Sequence, residues 1–180
     1  MNDILEALIH EHEHVRRMLD CFDEQLAVFE RAGSPDYDVL SDSLAYCKDY
    51  LDVWHHPRED RLLEVLRQRN SAEAAALAEL GDQHKDLATR TLGMVRVFRD
   101  VAERGAVHLR EGLLRAGREL SVAYRRHLSW EEAHFFPTLD RTLEPDDWEA
   151  ARRDASQGEA AARAVRNNYP ALFMAIQETT

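Results

Sequence analysis

The sequence predicts an all-α fold, an up-down-up-down four-helix bundle with a short C-terminal helical extension. Three observations carry this reading. Apolar residues recur at spacings of three and four along four long stretches, the pattern of amphipathic helices. Glycine (7) and proline (5) are scarce in 180 residues, so few turns are needed and short strands are disfavoured. His12 precedes His55 by the same 43 residues by which His84 precedes His127, which sets like residues at like heights on successive helices.

The first helix spans about Ile4 to Phe29, with Leu5, Leu8, Ile9, Val15, Met18, Leu19, Phe22 and Leu26 on its apolar face; Gly33-Ser34-Pro35 ends it. The second runs from about Tyr37 to Arg69 and buries Leu40, Leu44, Cys47, Leu51, Trp54, Leu62 and Leu66. Pro57 lies inside it, removing one backbone hydrogen bond and crowding the carbonyl of Val53, so a kink or bulge is expected beside His55 and His56. Asn70-Ser71 caps a third helix from Ala72 to Glu103, which stops near Gly105. A fourth covers about Val107 to Arg141. Glu144-Pro145-Asp146-Asp147 reads as a helix start, with proline at N1 and acids in the first turn. A final segment through Tyr169 to Ile176 is expected to pack across the bundle. Short connections make neighbouring helices antiparallel. Residues 1–142 therefore read as the bundle and 143–180 as an extension packed on it.

Hydrophobic residues at 44% and charged residues at 32% are an ordinary balance, and one domain of this length can bury a real core. The net charge of -11 argues against nucleic acid or an anionic membrane as partner. No stretch approaches 18 apolar residues, so no membrane span is expected. Met1-Asn2-Asp3 lacks the basic and apolar regions of a signal peptide, which points to a cytoplasmic location. Cys21 and Cys47 form no CxxC and sit in helical patterns; they read as buried free thiols.

The chemistry lies in an internal repeat. His55-x-x-x-Glu59 returns as His127-x-x-x-Glu131, and His12 as His84, all displaced by 72 residues. Imidazole and carboxylate are common ligands of iron and related metals. Positions i and i+4 share a helix face, so each His/Glu pair can address one site. At 1.5 Å per residue, antiparallel packing brings all six groups to within roughly one turn of a common level. The expectation is a dinuclear metal centre held by His12, His55, Glu59, His84, His127 and Glu131. Without thiolate it is not a cysteine-rich structural zinc site, and the donor set suits iron, manganese or zinc. His10 and His14, whose counterparts are Asp82 and Asp86, read as surface or supporting groups. His108 and His134 read as exposed, the alternative for His134 being that it lines the mouth of the site. Trp54, Trp130, Tyr46, Tyr50 and Tyr124 read as packing residues, with Tyr50 and Tyr124 also candidates to donate a hydrogen bond to the centre. Asp49 and Asp52 read as exposed, the alternative being that they orient ligating imidazoles.

These motifs resemble the hemerythrin family, in its HHE cation-binding branch. The resemblance covers residues 4–140. It rests on Leu8-Ile9-His10-Glu11-His12-Glu13-His14-Val15, on His55-His56-Pro57-Arg58-Glu59-Asp60-Arg61-Leu62-Leu63, on His84, and on His127-Leu128-Ser129-Trp130-Glu131-Glu132-Ala133-His134-Phe135-Phe136-Pro137. It implies two iron ions, bridging glutamates and terminal histidines. Hemerythrins commonly use five histidines, and His56 would complete that number. Its repeat counterpart is Leu128, so His56 would make the two irons unequal and leave one with an open position. The chain departs from relatives with a second histidine one turn away in the third helix, where Leu80 and Ala88 flank His84.

The resemblance implies that dioxygen, nitric oxide or peroxide binds at the iron pair, for sensing, buffering or delivery. An apolar wall of Leu8, Leu62, Leu63, Leu87, Phe135 and Phe136 would shelter the ligand. The alternative is a di-iron enzyme reducing peroxide or nitric oxide, and a third reading is iron handling or repair of iron–sulfur centres. Leu143 to Trp148 resembles an extension found in a bacterial subset of the family. The Ala- and Arg-rich Gln157–Asn168 stretch is expected either to cap the bundle or to support a homodimer.

Overall fold

A computed structural model describes residues 2–104, 110–152 and 168–178, and among them there is no strand. Gly105, Val107, His108 and residues 157–167, on which several expectations fall, lie outside the described residues. Helix α1 spans Asp3–Glu30 and opens on Asn2, whose side chain accepts from the Ile4 amide. It closes with a Schellman pair: Gly33 N–H donates to the Val28 carbonyl and Ala32 N–H to that of Phe29. Ala32 takes the left-handed position at φ 61°, where glycine is the usual occupant.

The second predicted helix is continuous but changes winding. Helix α2 (Tyr37–Tyr46) runs into a π-helical segment (Cys47–His55) and then α3 (His56–Arg69). The His56 amide donates to the Leu51 carbonyl five residues back, and Pro57 follows in the first turn of α3. The expected disturbance at Pro57 is therefore a widened helix on its N-terminal side. The fourth predicted helix repeats the device: α6 (Arg110–Trp130), a π segment (Glu131–Phe135) and α7 (Phe136–Thr142), with Pro137 in the first turn of α7.

The third predicted helix is corrected. It is two helices, α4 (Ser71–Ala76) and α5 (Leu80–Arg104). Between them Leu77, Ala78 and Leu80 donate to carbonyls three residues back, tightening the backbone. Ala74, Leu77 and Leu80 around that turn belong to one buried cluster.

Side-chain pairs fix the relative directions of several helices. Along α1 and the α6–α7 strip the pairs are His12–Glu132, Asp20–Arg125, Asp23–Ser121 and Glu30–Arg118, so numbers rise on one helix as they fall on the other. Thr91–Tyr124 and Gln83–His127 show the same relation between α5 and α6. Gly117 lets α1 and α6 approach closely, since a Cβ there would lie 2.8 Å from Leu26 Cδ1. In the extension, a helix covers 145–152, and Asp147 accepts from the Glu144 amide, capping it as the sequence suggests. With the 145–152 helix taken as α8, helix α9 (Pro170–Glu178) packs on α2 and α1. Asp42 of α2 accepts from the Ala171 and Leu172 amides, so one helix caps the start of another.

The core consists of two apolar clusters. One holds Val15 to Leu26, Leu40, Leu51, Leu87 and Leu128; the other holds Leu5, Leu8, Leu62, Leu66, Leu80 and Phe135. Between them, on every helix of the bundle, lies one polar layer: His12 falls between Leu8 and Val15, Glu59 between Leu51 and Leu62, His84 between Leu80 and Leu87, and Glu131 between Leu128 and Phe135. No described helix is long and apolar enough to cross a membrane.

Candidate metal centre

All seven residues singled out from the sequence are buried in that layer, His12, Glu59 and Glu131 completely. Two sets of candidate donor atoms emerge, each within 4.8 Å of one another: His12, His55, Glu59 and Glu131, and then His84, His127, Glu59 and Glu131. His56 groups with His84 and His127 in the same way. The two glutamates thus belong to both sets. Their oxygens face imidazole Nε2 atoms: His12 at 3.6 Å from Glu59 and 3.3 Å from Glu131, His55 at 3.3 Å from Glu59, His84 at 3.5 and 3.4 Å from Glu59 and Glu131, and His127 at 3.2 Å from Glu131. The His56 ring stacks on His84 with centroids 4.2 Å apart.

Each imidazole turns its other nitrogen outward to an oxygen. Nδ1 of His12 meets Glu132 at 2.9 Å, that of His55 meets Glu11 at 2.8 Å, that of His84 meets Asp60 at 3.0 Å and that of His127 meets Gln83 at 2.9 Å. Nδ1 of His56 lies 3.3 Å from Asp52. An acceptor on Nδ1 holds a proton there, so each Nε2, on giving up any proton of its own, offers an inward lone pair, the arrangement a metal-binding histidine needs. Asp52 is thereby corrected: it is half-buried against His56, while Asp49 turns to Lys48 and the Tyr169 hydroxyl.

Sequence reasoning missed the other four acceptors, although a signal was present. Glu11 and Gln83 directly precede His12 and His84, and Asp60 and Glu132 directly follow Glu59 and Glu131, so both pairs obey the 72-residue repeat. Arg58 holds Glu11 and Arg16 holds Glu132, each at 2.7 Å. Of the remaining candidates, His10 and His134 are exposed and His14 is half-buried. The Tyr124 hydroxyl is 2.9 Å from the Thr91 hydroxyl, and Tyr50 stacks on Tyr46.

The electrostatics describe a cavity that demands positive charge. Burial works against charge on His12, yet the carboxylates of Glu131 and Glu59 hold its pKa at about 10. Burial likewise opposes charge on His84, but Asp60, Glu131 and Glu59 raise it to about 11. Burial drives His56 down to about 4 and His127 to about 2, the latter with the neighbouring imidazoles adding to the effect. Glu59 stays ionised despite burial because the surrounding imidazoles favour its charge; burial and the charge of Glu59 push Glu131 up. Glu11 is held at about 2, with His55 and Arg58 overriding its burial. Even so, Nε2 of His12, His55 and His127, both oxygens of Glu59 and Oε2 of Glu131 are buried with no hydrogen bond. Unsatisfied buried polar atoms are costly, and native proteins tolerate few. Converging lone pairs of this kind fit cations, and the nitrogen and oxygen donors suit iron, manganese or zinc. A surface groove of about 780 Å³ between α5 and α6 has Gln83 and His127 in its lining.

No curated protein and no solved structure matches the chain. The model of the hemerythrin HHE cation-binding domain matches residues 3–139, which takes in every candidate ligand and both π segments. The buried His/Glu layer and this match agree, and the chain belongs to the hemerythrin HHE cation-binding domain family.

Proposed function

We propose that the chain holds two iron ions in the polar layer and binds a small ligand there, dioxygen, nitric oxide or peroxide, for sensing, buffering or delivery. The observation that carries the proposal is the set of buried, hydrogen-bond-free Nε2 and carboxylate atoms grouped within 4.8 Å. In this reading His12 and His55 would hold one ion, His56, His84 and His127 the other, and Glu59 and Glu131 would serve both. Iron bound there would supply the electrons for capture of a small ligand. The protein's own part is to orient five imidazoles through Glu132, Glu11, Asp52, Asp60 and Gln83, and to keep water away. Leu8, Leu62, Leu63, Leu87, Phe135 and Phe136 are all buried around the layer, and the Phe136 ring lies 5.0 Å from that of His12. The Tyr124 hydroxyl shares a hydrogen bond with that of Thr91. An apolar wall that excludes water favours reversible binding over turnover.

The pairings along the helices support an up-down-up-down bundle over 1–142, with 143–180 as its extension. The experiment is anaerobic loading with ferrous ion, metal analysis, and optical spectra before and after exposure to air or nitric oxide. Two irons per chain and a reversible spectral change are expected. Failure to retain iron would overturn the centre, and irreversible oxidation with steady peroxide consumption would move the function to the reducing enzyme.

A further inference from the structure

The two candidate positions share their glutamates but not the charge behind their histidines. Behind His12 and His55 stand Glu132 and Glu11, each paired with an arginine at 2.7 Å, Arg16 and Arg58. The outer charge on that side sums to zero. Behind His84, His56 and His127 stand Asp60, Asp52 and the neutral amide of Gln83. Among the described residues no lysine or arginine is paired with Asp60 or Asp52, so that side carries two negative charges. Asp52 is only 16% exposed, which limits solvent screening of its charge; Asp60 is half exposed and is screened more.

We infer that the centre fills in a fixed order: the position of His56, His84 and His127 takes the first divalent cation, and that of His12 and His55 the second. The inference rests on the metal-holding reading above. Three terms point the same way. The first position offers one more imidazole, its outer shell is more negative, and its acceptors are not drawn off by arginine. Groups behind the ligands commonly change metal affinity by about 10- to 100-fold, enough to separate two steps. The first cation then neutralises part of the charge on Glu59 and Glu131, which weakens the second step further. The later-filled position is the one with fewer donors, so it is also the one from which a cation leaves first.

Two conservative variants move the steps separately, because each keeps an acceptor for the Nδ1 proton and changes only charge. Asp60→Asn removes one negative charge from behind the first position. Glu11→Gln leaves Arg58 unpaired behind the second. Anaerobic titration of the full chain with cobalt(II), read by visible absorption and calorimetry, gives both dissociation constants without relying on activity. The unmodified protein is expected to show two steps about tenfold or more apart. Asp60→Asn should weaken the first step and narrow the gap, and Glu11→Gln should weaken the second and widen it. Asp52→Asn, acting through His56, should repeat the first result if Asp60→Asn unfolds. Two cobalt ions entering in one unresolved step, or either variant shifting the opposite step, would overturn the order while leaving the centre intact. No cobalt bound at all would overturn the centre itself.

Discussion

The half of the bundle that carries His12, His55 and Glu59 and the half that carries His84, His127 and Glu131 aim the same atoms inward and differ in almost everything behind them. The repeat places Leu128 opposite His56, Tyr124 opposite Asp52, Trp130 opposite Arg58 and Ala88 opposite Arg16. The winding differs as well. A nine-residue π segment ends at His55 in the first half, whereas a five-residue one begins at Glu131 in the second. Both leave the His-x-x-x-Glu turn itself with its two side chains on one face, at 3.3 and 3.2 Å. Inner-layer geometry is thus held alike in the two halves, while polarity and charge behind it are free to diverge. Two equal donor sets become two unequal positions without any change in the glutamates they share.

The largest break in this comparison is Glu131→Ala, which removes an oxygen source common to both positions. Metal content should fall to one ion or none, and the gain in thermal stability on metal loading should shrink with it. Unchanged metal content would remove Glu131 from its bridging role. His56→Leu is subtler, because it writes the second half's residue into the first and leaves two histidines on each side. Two ions should still bind, with their dissociation constants drawn together by about tenfold; calorimetric titration that keeps the original gap would show that His56 is not a ligand.

A third prediction uses the neighbourhood of Tyr124, where the halves differ most in polarity. Burial pushes the Cys47 thiol up to about 12. The unfolded thiol ionises near 8.5, so the folded state holds its proton longer. Stability from this group is complete below that value and is lost as pH rises towards 12. Alkylation by iodoacetamide at pH 9 should therefore be slow in the folded protein and fast in denaturant. Equal rates would mean that Cys47 is accessible. The smallest effect belongs to Ala32→Gly, outside both halves. It relieves the left-handed alanine and should add about 1 kcal/mol to the unfolding free energy. Metal content should not change, which separates fold stability from the centre.

Much of the centre was legible because its ingredients are local. Helical period, ligand type and the 72-residue offset can all be counted along the chain, and together they specify which side chains meet. Asp60 and Glu132 show where counting stops. Each follows a glutamate by one position, about 100° around the helix, and whether it reaches a histidine on a neighbouring helix depends on how far that neighbour is rotated. Asp52 differs: it lies four residues before His56 on the same continuous helix, so its approach to that imidazole is a local i,i+4 relation.

Taken alone, the sequence determined an all-helical chain, the break at Gly33-Ser34-Pro35, the cap at Glu144 and six of the residues that converge, His56 being added by the family resemblance. Those features follow from backbone periodicity, proline geometry and residue chemistry, which act over a few residues at a time. Tertiary packing decided that α4 and α5 part at Leu77, that Asp42 caps α9 and that four oxygens, from Glu132, Glu11, Asp60 and Gln83, meet imidazoles on other helices. These depend on burial and on contacts between distant segments, where the energy of filling a core overrides local preference.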